Sequence, residues 1–508
     1  MKRVQVCLLT LVSLLGSCAG ENTPETNLPM ELPFVLERPD EGTPLSDEEI
    51  AIFTAKITGF WRQVDYFNWI YEICHGMDAS AGYPDYLIWW HDVDAVKEGD
   101  TVTFRHNPDY GGSHNNAEPT SLALTAAIGG YLLTGDEAMG RVAEQFTKSF
   151  TAVMLGFVYD ESDPLPHIMA RNIVTHNHSF LLPSGKQKAV DYSDWYFTYE
   201  GWNADRVHYT DNPTWGDIYV TTMRSKDDVP FMYRATAWFP YLIEFAEEGS
   251  VRQAARDALE LMQDFAKDIV DSGYQIRSKD AAGKPFVPEE DLATFMGYVD
   301  VFPDAECDPR LASALLGYGE PLDNECGSGQ GSDYDRIAGT SHYYNYSIVD
   351  HYHMSAVLLA LTLGHDDIAE ELLQGWITRL ERYLDPGGGE PGWDNENWER
   401  DLSLYLLQGA AIGMPLTSKE ARMIHRFHER AVDAYADFPN WDLWDASVPD
   451  GSYDFRSGFQ PARRPEYIRI EDMGFLLEYC WSPFKNPAGA KFVDCEIVRD
   501  PSRWGNVR

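Results

Sequence analysis

Apolar residues fall at helical spacing through Ile348, Ala356, Leu359 and Leu363, stop at Gly364-His365-Asp366-Asp367, and return through Ile368, Leu372, Trp376 and Leu380. This pattern predicts two helices joined by a polar corner, and helices joined by so short a link lie antiparallel. The same arrangement recurs at 119–157 with a corner at Thr134-Gly135-Asp136, at 229–269 with a corner at Glu247-Glu248-Gly249-Ser250, and at 398–435 with a corner over 413–418. A further helix is predicted over 46–75. There Ser46 and Glu49 have capping-box spacing, and Ile50, Phe53, Ile57, Phe60, Trp61 and Val64 keep the period. A last helix is predicted over 467–479, with the first helix expected to pack beside it.

Longer segments separate these units, at 76–116, 158–228, 273–339, 385–397 and 437–466, and all lie at the end of the hairpin opposite the tight corners. Connections of that length in a compact protein usually carry function. Within 181–222 the strings V-H-Y-T and D-I-Y-V-T-T are expected to pair as short strands, with no separate all-β domain. Four hairpins without a strict sequence period suggest helix pairs arranged around an axis, closed by the first and last helices. The expected fold is therefore all-α dominated, an (α/α) toroid with long loops over one end, filling residues 45–508 as one domain. An open solenoid is the rival, and its repeats would be more uniform.

The chain starts with a basic Met1-Lys2-Arg3 and a short apolar run, the pattern of an export signal. Leu15-Gly16-Ser17-Cys18 resembles a bacterial lipobox. That resemblance implies a signal peptide over 1–17, lipidation of Cys18, and a tether over 18–44 that is polar and rich in Pro. Ala19 after the cysteine implies an outer-membrane address in a Gram-negative cell. An exported chain can oxidise its thiols, and the expected pairs are Cys307 with Cys326 and Cys480 with Cys495, leaving Cys74 buried in the first helix. A formal charge of −41 repels nucleic acid and anionic membrane surfaces, so nucleic-acid binding is excluded and the membrane is reached through the lipid alone.

If the inner helix of every hairpin starts at one rim, residues far apart in sequence converge there. The candidates are His114, Asn115, Asn116 and Glu118 at the first start, and Arg224, Asp227 and Asp228 at the second. His342, Tyr343, Asn345 and Tyr346 stand at the third, and Trp393, Asp394, Asn397, Trp398 and Glu399 at the fourth. Capping accounts for Asn116, Asp228 and Asn397, since Asn and Asp belong at helix starts, but not for the His and Tyr beside them. A second cluster runs from Arg171 to Phe180 and contains His176-Asn177-His178-Ser179-Phe180. Its H-x-H string is by itself a weak metal signature. On a helix His351 and His353 face different ways, so both cannot reach one centre. The Gly-rich, acidic loop 323–335 has oxygen donors suited to Ca²⁺ but lacks EF-hand spacing.

Helical hairpins around a cavity bearing Asn, His and Tyr resemble the polysaccharide lyases of the alginate lyase and heparinase-like kind, and His176-Asn177-His178-Ser179-Phe180 resembles an Asn-His segment of some alginate lyases. The resemblance implies a glycan substrate and β-elimination on uronate-containing chains. Asn177 and His178 would then be neutraliser and base, and Tyr343 or Tyr346 the acid. A Tyr, with an ordinary pKa of about 10, would need a cation or His beside it to act as a base, and Arg224 or His342 could serve. Arg171, Arg206, Arg224 and Arg234 are available for a carboxylate. The competing reading is a glycoside hydrolase with paired carboxylates from Glu118, Asp227, Asp228, Asp394 and Glu399. A surface glycan-binding lipoprotein would need only stacking aromatics such as Trp393 and Trp398.

Overall fold

The computed structural model describes residues 28–63, 65–67, 93–98, 101–106, 117–155, 170, 172–175, 178–181, 187–190, 206–212, 216–221, 228–271, 278–279, 285–286, 354–384, 395–436, 440–442 and 472–505. Among them helix predominates. The helices are α1 (Asp47–Gln63), α2 (Ala117–Thr134), α3 (Glu137–Leu155), α4 (Asp228–Thr236), α5 (Phe239–Phe245), α6 (Ser250–Asp271), α7 (354–363), α8 (Asp366–Leu384), α9 (Asn395–Ala411), α10 (Ser418–Ala436), α11 (Phe475–Trp481) and α12 (Cys495–Val498).

All four expected hairpins form, and three of their corners have a common cause. Gly135, Gly364 and Gly413 take φ of 71°, 73° and 105°, a region that favours glycine, and each ends the helix before it. At the third corner His365 N–H reaches back to Ala360 O and Gly364 N–H to Leu361 O, which satisfies carbonyls that the helix end leaves open. Asp136 then accepts from the N–H groups of Ala138 and Met139 to start α3.

Three helix expectations need correction. The first helix stops at Gln63, Asp65 beyond it has φ 52°, Tyr66 and Phe67 are helical again, and residues 68–75 of the expected span lie outside the described residues. The inner helix of the second hairpin is two helices, α4 and α5, because Pro240 has no N–H to give the Thr236 carbonyl, and the chain tightens instead through Trp238 N–H to Ala235 O. The last helix begins at Phe475 behind a short turn at Asp472–Gly474, with residues 467–471 outside the described residues.

Two kinds of helix alternate along the chain. From Thr120 to Ile128, 231–239, 354–362 and 402–412 every residue is buried, whereas α3, α6, α8 and α10 bury one face and expose charge on the other. The first kind is inner and the second outer. The inner helices run parallel. A Cβ on Gly474 would meet Ala126 and one on Gly129 would meet the Glu478 backbone, so α2 and α11 advance together. Arg234 lies over Phe475 and reaches Glu478, Trp238 stacks edge-on against Trp481, and Tyr241 meets Trp481 and Phe484, so α4–α5 also follows α11. At the end of α9, Ala411 O accepts from Ser482 just past the end of α11. Outer α8 runs against α9, since Gly413 meets Leu373 and Gly409 meets Trp376. Helix α1 is outer too: Glu49, Phe53 and Lys56 pair in order with Arg422, His425 and Asp433 of α10. Just beyond α1, Tyr66 lies beside Gly474 in the turn ahead of α11.

Strands occupy the long connections: β1 (Val93–Glu98), β2 (Thr101–His106), β3 (Asn172–Thr175), β4 (His178–Leu181), β5 (Gln187–Val190), β6 (Arg206–Asn212), β7 (Gly216–Thr221), β8 (Ser278–Lys279), β9 (Pro285–Phe286) and β10 (Asn440–Asp442). All pairing is antiparallel. The expected partners β6 and β7 pair His208 with Tyr219, and β3 joins β7. Strand β10, after the fourth hairpin, pairs with β1, before the first.

Residues 28–44 were expected to continue the tether, and here they are packed. Leu36 is buried, Arg38 binds Glu420 through two nitrogens at 2.9 and 3.0 Å, and Asp40 accepts from Ser418 N–H and Oγ–H at 2.7 and 2.8 Å. Glu420 also forms a capping box with Thr417 at the start of α10, so one carboxylate joins strap and helix.

Candidate functional site

Parallel inner helices gather their starts at one end. Ala117, Asp228 and Asn395 open α2, α4 and α9 there, and the corners lie at the other end. Of the candidates, Asp228 is the first residue of α4, Glu118 the second of α2, and Trp398 and Glu399 lie in the opening turns of α9. His178 opens β4 opposite Val190. Asn177, His342, Tyr343, Tyr346, His114, Asn115, Arg224 and Trp393 lie outside the described residues, as do Cys18, Cys74, Cys307, Cys326 and the acidic loop 323–335. Cys480 and Cys495 form the expected disulfide, with Cα atoms 5.2 Å apart.

The corner end of the inner helices is filled. Trp238, Tyr241, Trp481 and Phe484 pack edge-to-face and stacked with centroids 4.8–6.4 Å apart, and Tyr241 Oη–H donates to Pro29 O of the strap at 2.6 Å. Burial pushes the Tyr241 phenol well above its ordinary pKa, so it stays neutral. Below this plug Arg234 and Glu478, both essentially buried, meet at 2.8 and 2.9 Å, and Trp238 Nε1–H donates to the same carboxylate at 3.0 Å. Arg234 is therefore not available to a substrate carboxylate, against expectation. The signal for it was legible: Glu478 is the one carboxylate in the apolar run Phe475-Leu476-Leu477-Glu478-Tyr479, and a buried carboxylate needs a cation.

Other shifted groups are also structural. His428 Nδ1 hydrogen-bonds Ile424 O, and burial pulls its pKa down to about 4. His425 stacks on Phe53 at 3.8 Å, and burial lowers it as well. Lys485 falls to about 8 by burial, with its ammonium donating to Cys480 O and lying over the Tyr479 ring. Burial raises Tyr479 to about 12. Among the described residues no group of three His, Cys, Asp or Glu stands ready for a metal, and no helix is long and apolar enough to cross a membrane. No family model matches the chain, and no curated protein or solved structure matches it significantly.

Proposed function

We propose that this chain is an exported, lipid-anchored glycan-cleaving enzyme, an (α/α) toroid whose site lies over the starts of its inner helices. The observation that carries the reading is the polarity of the helix set: α2, α4–α5, α9 and α11 run one way, with aromatics and the strap filling the corner end. The neighbours α9, α11, α2 and α4 account for an arc of the ring. The β1–β10 pairing, which joins the connections before the first and after the fourth hairpin, supports its closure.

Resemblance favours β-elimination. Asn177 would hydrogen-bond a uronate carboxylate and so stabilise charge developing on the adjacent carbon. His178 would remove the proton from that carbon, whose electron pair becomes the new C=C bond as the neighbouring C–O bond breaks, and Tyr343 or Tyr346 would protonate the departing oxygen. Positioned acid and base groups of this kind contribute roughly 10²–10⁴-fold.

A hydrolytic reading is supported by the position of Glu118, Asp228 and Glu399 in the opening turns of three parallel inner helices. The pairing of Arg234 with Glu478 also removes one cation that a uronate would need. Incubating the protein with acidic and neutral polysaccharides separates the readings. New C=C absorbance with His178→Ala inactive supports elimination, and reducing ends alone with Glu399→Gln inactive support hydrolysis. Binding without either product contradicts the enzyme and leaves a glycan-binding lipoprotein.

A further inference from the structure

The strap 28–44 touches only one end of the molecule through its described contacts. Pro29 accepts from Tyr241 near the end of α5, and Leu32 lies against Gly413. Leu36 O accepts from Asn486 past α11, and Glu41 O accepts from Lys419 N–H at the start of α10. Each partner belongs to the corner end. The chain that joins the body to Cys18 therefore leaves from that end. From Cys18 to Leu28 there are ten residues, which reach about 35 Å when fully extended. A compact body of this chain's length is about 60 Å across. The linker is thus too short to let the far end turn onto the bilayer that holds the lipid.

A second observation points the same way. Among the described residues five large apolar side chains are exposed, and four are at the corner end: Met30 and Val35 on the strap, Phe245 at the end of α5 and Leu363 at the end of α7. The fifth, Ile52, is on α1. Phe245 lies beside Tyr241, which holds Pro29, so Met30 and Phe245 flank one strap anchor. Apolar side chains grouped at one end of an acidic protein suit the acyl–headgroup boundary of a bilayer better than water.

We propose that the corner end is a membrane-facing surface: Met30, Val35, Phe245 and Leu363 rest on the phospholipid bilayer that carries the Cys18 anchor, and the inner-helix starts face away from it toward polymeric substrate. This rests on the lipidation of Cys18. The test uses the full lipidated chain in phosphatidylcholine vesicles containing an acceptor-labelled lipid, with a donor dye on an azide-bearing residue at position 363, at position 248 on the same end, or at position 395 on the opposite end. The orientation predicts severalfold greater transfer from 363 and 248 than from 395. Equal transfer, or greater transfer from 395, overturns it. The mass of the N-terminal peptide separates the two ideas: an unmodified Cys18 defeats the anchor and the orientation together, whereas a lipidated chain with equal or reversed transfer defeats the orientation alone.

Discussion

Inner and outer helices of this protein are stabilised differently, although each hairpin contains one of each. Over 120–128, 231–236, 354–362 and 402–411 inner α2, α4, α7 and α9 are buried on every side, so a polar group there has only the protein to pair with, and Ser403 Oγ and Gln408 Oε1 find no hydrogen-bond partner among the described residues. Outer α3, α6, α8 and α10 bury a stripe and solvate the rest, and pairs such as Lys148–Glu144 and Arg252–Glu248 are partly exposed, whereas Glu420 at the start of α10 is buried against Arg38 of the strap. The difference teaches where substitutions are costly. A buried glycine or carboxylate such as Gly409 or Glu478 is fixed by its neighbours, whereas an exposed charge on an outer helix, such as Lys148, is close to interchangeable.

The sharpest way to break this contrast is at Glu478. Glu478→Ala leaves the Arg234 guanidinium buried without its counter-ion, and loss of one partner of such a pair costs about 3–5 kcal/mol. Urea unfolding should show that loss, and the double change Glu478→Leu with Arg234→Met should restore much of it. Retention of wild-type stability by Glu478→Ala alone would show that the inner helices tolerate unpaired charge.

Next comes acid. His428 is neutral in the fold, with its pKa lowered to about 4, whereas the unfolded chain takes up a proton near 6.5. Above 6.5 neither state is charged and the histidine has no effect. As pH falls from 6.5 to about 4 the unfolded state gains the proton first, and about 3 kcal/mol of stability is lost. His428→Leu should flatten that part of the stability–pH curve. An unchanged slope would place the acid sensitivity elsewhere.

A tighter comparison uses one inner–outer contact. A methyl at Gly409 of α9 would overlap the ring of buried Trp376 on α8, so Gly409→Ala should cost about 1–3 kcal/mol by overpacking. Adding Trp376→Leu should make the two changes less costly together than their sum, as a double-mutant cycle would read. The smallest effect belongs to the outer face. Lys148→Ala removes an i,i+4 pair with Glu144 on α3 and should change thermal stability by no more than about 0.5 kcal/mol.

How much of this was legible follows from where each signal resides. Hairpins were legible because Gly135, Gly364 and Gly413 interrupt clean periodicity, which is local information. The break at Pro240 was present in the sequence but concealed by apolar residues on both sides of it. Packing of the strap was not legible, since burial of Leu36 and the Arg38–Glu420 pair join positions almost 400 residues apart, and a Pro-rich polar stretch has a linker's composition. Pairing of Cys480 with Cys495 was reachable from proximity along the chain. For the site, helix-start logic selects Glu118, Asp228 and Glu399, and these residues lie in the opening turns of α2, α4 and α9. It misplaced Arg234, whose partner Glu478 comes from the far end of the sequence.

The parallel run of the inner helices can be read from distances between pairs of spin labels. Helices α2 and α9 both flank α11, and α9 is 17 residues long. Neighbouring axes lie about 10 Å apart and the 18 residues from 395 to 413 rise about 27 Å, so labels at positions 117 and 395 should be about 20 Å apart and labels at 117 and 413 about 34 Å. That order is the predicted result. A shorter distance for 117–413 than for 117–395 would mean that α2 and α9 run in opposite directions, and the helix starts would not share an end.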